Sequence, residues 1–134
     1  MALSQATMRA LARGAALYGA GEHWEAHEAW EDAWLVEEGE TRLFLQGLIQ
    51  VAAAMHKAFV QRQPASCEKL LASALGKLEG LPEELGGLRL EEFRAGARAA
   101  REHARRWAAG ELAAFDRALT PRLLWRDDAA QPSR

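Results

Sequence analysis

Only one cysteine, Cys67, occurs in the 134 residues, so no intrachain disulfide framework can form and a reducing compartment is the expectation. Long apolar runs are also missing. The N-terminal stretch MALSQATMRALARG has no apolar core of the secretory kind, and the longest uninterrupted apolar run, Val51 to Met55, is too short to span a bilayer. No segment alternates β-branched and polar residues as a half-buried strand would. The formal net charge is −2, which gives no global field to recruit nucleic acid or an anionic membrane. These absences leave a cytoplasmic, all-helical protein, with no nucleic-acid and no membrane partner expected.

What is present is helical periodicity with clear punctuation. Ser4 is a suitable N-cap, and Leu3, Met8, Leu11 and Ala15 around and after it stand at helical spacing, with Leu17 and Tyr18 one turn on. Gly19 and Gly21 end that helix. A second helix is expected from about Glu22 to Glu37, closed by Gly39, and a third, the most apolar, from about Thr41 to Arg62. Pro64 suits the first turn of a fourth, with Leu70, Leu71, Ala74, Leu75 and Leu78 facing inward. After a loop marked by Gly80, Pro82, Gly86 and Gly87, a fifth helix runs from about Glu91 to Ala109. Its apolar line is Phe93, Ala97, Ala100, Ala104 and Trp107, and Arg94, Arg98, Arg101 and Arg105 form a solvated stripe. Gly110 precedes a short sixth helix that stops before Pro121. The expected architecture is all-α, a single-domain bundle of five to six antiparallel helices over residues 1–126, with a flexible tail at 127–134.

The second helix carries the residues that go beyond packing. Wound at about 100° per residue, Trp30, His23, Trp34, His27, Glu31, Trp24 and Leu35 share one arc of roughly 140°, while Glu25, Glu28 and Asp32 fall outside it and face water. His27 and Glu31 lie one turn apart among tryptophans, within hydrogen-bonding reach. On the third helix Leu45, Leu48, Ile49, Ala52, Met55 and Phe59 form the apolar face with His56 inside it, and Gln46, Gln50, Lys57 and Gln61 form a polar stripe. Two readings follow. In one, His27 is a core histidine satisfied by a neighbouring carboxylate. In the other, a pocket between the two helices uses His27 as an acid/base group oriented by Glu31, which stabilises its imidazolium. Trp30 and Trp34 are then the apolar wall, and Gln46, Gln50 and His56 the partners across the cleft.

Metal chemistry is not expected. The zincin spacing requires a second histidine where Glu31 stands, and the Glu-x-x-His pair of di-iron bundles is missing from this helix. Gly19-Ala20-Gly21 lacks the strand-before-helix context of a phosphate loop, and Cys67 has no nucleophile context.

The block Gly21-Glu22-His23-Trp24-Glu25-Ala26-His27-Glu28-Ala29-Trp30-Glu31-Asp32-Ala33-Trp34, followed by Phe44 to His56, resembles a small bacterial and plastid family known as domain of unknown function 309. The family signature H-x-x-x-E-x-x-W is matched by His27, Glu31 and Trp34. The resemblance covers about residues 10–80 and is loose beyond Leu81. It implies an all-helical fold and assigns no activity and no cofactor. The functional expectation is a His/Glu/Trp-centred pocket that binds a small-molecule ligand or supports acid/base chemistry. The alternative is a helical module for a protein partner, in which the cluster is structural.

Overall fold

The computed structural model describes residues 3–126; the expected tail at 127–134 lies outside them. Five α-helices make up the described chain: α1 (Gln5–Gly19), α2 (His23–Trp34), α3 (Gly39–His56), α4 (Pro64–Leu78) and α5 (Leu90–Ala108). Among the described residues there is no strand, only isolated bridges joining Leu85 to Leu88 and Leu88 to Trp125. The fold class is all-α, as the sequence implies.

The local signals act where they stand. Ser4 Oγ accepts the Thr7 N–H at 3.1 Å, meeting one of the orphan donors of α1. Leu11, Gly14 and Tyr18 face inward, while Met8 stays at the surface, outside the apolar line expected for it. Pro64 is the first residue of α4, where its missing N–H costs nothing. α2 stops at Trp34, three residues early, and leaves Leu35 and Val36 exposed. Gly39 does take the left-handed conformation, φ 61°, but as the opening residue of α3 rather than as the cap of α2.

Trp30 joins α1 to α2. The indole is fully buried, and its Nε1–H donates to the Leu11 carbonyl at 3.2 Å. Gly14 makes the room: a Cβ there would sit 2.1 Å from Trp30 Nε1. α3 runs through the middle, with α2 and α4 packed against it and Gly47 letting Leu78 approach. Together with the π-helical turn that extends it, Lys57–Gln61, it is long and apolar enough to cross a membrane by length and composition, unlike its short uninterrupted apolar runs. Its apolar face is spent on packing: Phe44, Leu45, Leu48, Val51, Ala52 and Met55 are all in the core.

The π-helical turn ends on Arg62, which adopts φ 52°, a left-handed conformation that costs a side-chain-bearing residue about 1 kcal/mol. In α5 the expected arginine stripe divides. Arg98, Arg101 and Arg105 are exposed, but Arg94 is only 4% exposed, and its Nη1 donates to the carbonyls of Leu78 and Leu81 at 2.7 Å each. Arg94 thereby satisfies acceptors left over at the end of α4. The sixth helix does not form. Residues 111–114 bend, and only a 3-10 turn, Arg117–Leu119, follows. Backbone donors there are taken elsewhere: the Asp116 N–H by His103 Nε2 at 3.1 Å, and the Ala118 N–H by the Asp116 carboxylate at 2.9 Å.

Candidate functional site

The arc read from the sequence on α2 is divided between two neighbours. Trp30 turns to α1 and the core, so it lines no open wall. His27, Glu31 and Trp34 lie along the seam with α3. Trp34, the last residue of α2, sits under the Arg42 guanidinium, 4.1 Å from ring centre to Cζ. Trp24 at the start of α2 contacts His56, the last residue of α3, with ring centroids 5.1 Å apart. His27 and Glu31 occupy the stretch of α2 between those two contacts. Gln46 and Gln50 occupy the corresponding stretch of α3, and both are half-buried.

His27 is stacked face-on against Trp24, with centroids 4.6 Å apart and planes 17° from parallel. Its Nε2 is 3.5 Å from Glu31 Oε2, too long for a strong hydrogen bond, and Glu31 is 43% exposed, so water screens the pair. The other ring nitrogen, His27 Nδ1, is buried without a hydrogen-bond partner, as are Trp34 Nε1 and Gln50 Oε1. Each such atom costs about 1–3 kcal/mol in desolvation. The described cavities open elsewhere. One of about 610 Å³ lies beside Met8, Ala15, Gly87 and Trp125, and one of about 500 Å³ beside Phe59; neither is lined by His27, Glu31, Trp34, Gln46 or Gln50. Among the described residues no three His, Cys, Asp or Glu side chains converge in a metal-holding group.

A second aromatic cluster escaped the sequence reading. His23 is buried edge-on against Tyr18 at 5.2 Å and tilted against Phe59 at 5.8 Å. Burial lowers its pKa below the ordinary histidine value, and the nearby Arg117 and His56 lower it further. Phe59 in turn meets Phe115, which stands edge-on to His103 at 5.1 Å. Nothing local announces this chain of rings, because its members lie in four separate segments. Burial pushes the Tyr18 phenol up, and its O–H donates to the Pro121 carbonyl at 2.6 Å. Cys67 is buried, and that burial pushes its thiol up to about 12, which disfavours the thiolate.

A protein of Aquifex aeolicus (strain VF5), itself described as uncharacterized, is 32% identical over 79 residues, which is 58% of this chain and 23% of that relative. The chain thus spans under a quarter of the relative's length. Residues 11–69, from α1 through the α2–α3 seam to the first turns of α4, match the family model described as Domain of unknown function (DUF309), so this segment is similar to that family.

Proposed function

We propose that the protein is a helical docking module, built on antiparallel packing of α2 against α3, which receives a basic segment of a protein partner at the corner between those helices. The observation that carries this is the exposure of Leu35 (64%) and Val36 (79%) within a stretch of one charge sign. Residues 14–41 contain eight Asp and Glu and no Lys or Arg. The corner is held firmly: the Thr7 hydroxyl donates to the Glu37 carboxylate, and the Arg42 guanidinium reaches the Glu37 carbonyl at 3.4 Å. Glu38 and Glu40 remain exposed beside it. Apolar side chains ringed by acidic ones suit an amphipathic, Lys- or Arg-bearing segment, whose charge steers approach and whose apolar residues supply the contact. In this reading the His27, Glu31 and Trp34 signature is structural: it closes the seam and sets the angle at which the corner is offered.

The test uses a synthetic amphipathic Leu/Lys peptide and its Leu/Glu counterpart, followed by backbone amide shifts and calorimetry. The Leu/Lys peptide should perturb residues 35–43 and bind more weakly as salt rises. Leu35→Ser with Val36→Ser should lower its affinity about tenfold or more. Equal binding of both peptides, or no effect of the double variant, overturns the reading.

A second reading keeps the seam as a small-ligand or acid/base site centred on His27, with Glu31, Trp34, Gln46, Gln50 and His56 around it. One observation favours it: the three buried polar atoms without partners, His27 Nδ1, Trp34 Nε1 and Gln50 Oε1, offer a donor and acceptors that a polar ligand would engage. Such a ligand must displace Trp24 to reach the ring. The stability of His27→Gln separates the two readings, a loss marking a structural ring and a gain marking a site held at a cost.

A further inference from the structure

The strongest unexplained feature lies at the other end of α3. A cavity of about 500 Å³ opens where the π-helical turn, the start of α4, the end of α5 and residues 113–117 meet. Its volume is in the range of small-molecule sites. Three rings wall it: Phe59 and Phe115 stand edge-to-face at 5.6 Å, and Trp107 is edge-on to Phe115 at 6.3 Å. Two arginines, Arg62 and Arg117, also line it. Neither has a carboxylate partner among the described residues, whereas Arg13, Arg89, Arg98 and Arg105 all do. The nearby Asp116 has its carboxylate on the Ala118 N–H.

The backbone here is arranged at a cost. The π-helical turn and the left-handed Arg62 are both departures of the kind that gather at functional sites. Together they set Arg62 at the cavity mouth. Arg117 is held over the Phe59 ring, with Cζ 4.3 Å from its centre, which fixes the guanidinium against the aromatic wall. Pro64 lines the cavity and opens α4, a 15-residue helix whose N-cap, Gln63, makes no side-chain capping bond. The positive end of that helix therefore adds to the two guanidiniums.

We propose that this cavity binds a small anion carrying a planar ring, an aryl carboxylate or aryl phosphate in kind. The ring packs among Phe59, Trp107 and Phe115, and the anionic group lies between Arg62 and Arg117. This site is separate from the α2–α3 corner and stands or falls independently of the docking reading.

The experiment titrates the protein with 2-naphthoate, 2-naphthyl phosphate and the neutral 2-naphthalenemethanol, following the Trp107 indole N–H by NMR and the heat by calorimetry. At least one anion should shift that resonance and bind about tenfold or more tighter than the alcohol, and the better of the two distinguishes a carboxylate from a phosphate ligand. Arg62→Gly keeps the left-handed turn, because glycine adopts it freely, and removes only the side chain. It should weaken binding about tenfold or more with Tm unchanged or raised, Arg117→Gln should weaken it similarly, and Arg9→Gln on the exposed side of α1 should leave it unchanged. The proposal is overturned if the alcohol binds as tightly as the anions, if Arg62→Gly binds like the parent, or if no probe moves the Trp107 resonance at millimolar concentration.

Discussion

Gly14→Ala separates helix propensity from packing in this fold. Gly14 lies well inside α1, and by propensity alone an alanine there should stabilise the protein by about 1 kcal/mol. Its surroundings argue the reverse. The added Cβ would stand 2.1 Å from Trp30 Nε1 and 2.4 Å from Cδ1, in an indole that is fully buried and cannot swing into solvent. Overpacking of this kind costs about 1–3 kcal/mol. Moving the indole also breaks its bond to the Leu11 carbonyl and leaves two buried polar groups unpaired, about 1–3 kcal/mol more. The net expectation is a loss of about 3 kcal/mol, or roughly 10 °C in Tm for a chain of this size. Urea denaturation gives the free energy, and Trp30→Leu in the same background provides the check. Relieved of the indole, Gly14→Ala should become neutral or favourable. An unchanged or raised stability for Gly14→Ala alone would refute the packing argument.

Trp34→Ala should cost about 2 kcal/mol, below the 3–5 kcal/mol of a fully buried tryptophan such as Trp30, because Trp34 is only partly buried under Arg42; denaturation of both variants checks the order. His23 gives a pH dependence. Its folded pKa lies below its unfolded value near 6.5, so the unfolded chain binds more protons between those values; its contribution is complete above about pH 6.5 and is lost as pH falls through the folded pKa. The parent should therefore lose stability on acidification relative to His23→Phe, and parallel curves for the two would show that His23 titrates normally. For the seam, His27→Gln should cost about 1 kcal/mol through loss of the stack on Trp24, and Glu31→Gln under 0.5 kcal/mol, with little coupling across 3.5 Å. A coupling above about 1 kcal/mol in the double-mutant cycle would show a tighter pair than this geometry allows.

Local chemistry was readable in the sequence where a residue acts on its own backbone. The Ser4 cap, the Pro64 start and the left-handed Gly39 each answer to one position. Angular position on α2 was readable too, but the partner on each side was not. A wheel places Trp30 and His27 in the same arc, whereas α2 is wedged between α1 and α3, so one arc serves two neighbours. Arg94 shows the same limit. The spacing sets it in line with Arg98 and Arg105, and only the fold brings the end of α4 and the loop after it, 16 and 13 residues earlier, within reach of its guanidinium. The cavity beside Phe59 was the least legible feature, since its walls come from residues near 59, 107 and 115 and no spacing connects them.

The two candidate sites differ in how their polar groups are provided for, and that difference bears on what each can do. At the α2–α3 seam the polar atoms are sealed in: His27 lies beneath Trp24, Trp34 beneath Arg42, and the atoms without partners are buried. Sealed polar atoms hold helices in register more readily than they meet a substrate, since access requires moving the rings that cover them. At the Phe59 cavity Arg62 and Arg117 are exposed, and neither is ion-paired with a carboxylate among the described residues. Guanidiniums are more weakly hydrated than ammonium groups, and an arriving anion has no existing ion pair to break at Arg62 or Arg117. The His27, Glu31 and Trp34 pattern and the proposed anion cavity are therefore two different parts of the chain, with α3 and its π-helical extension running between them.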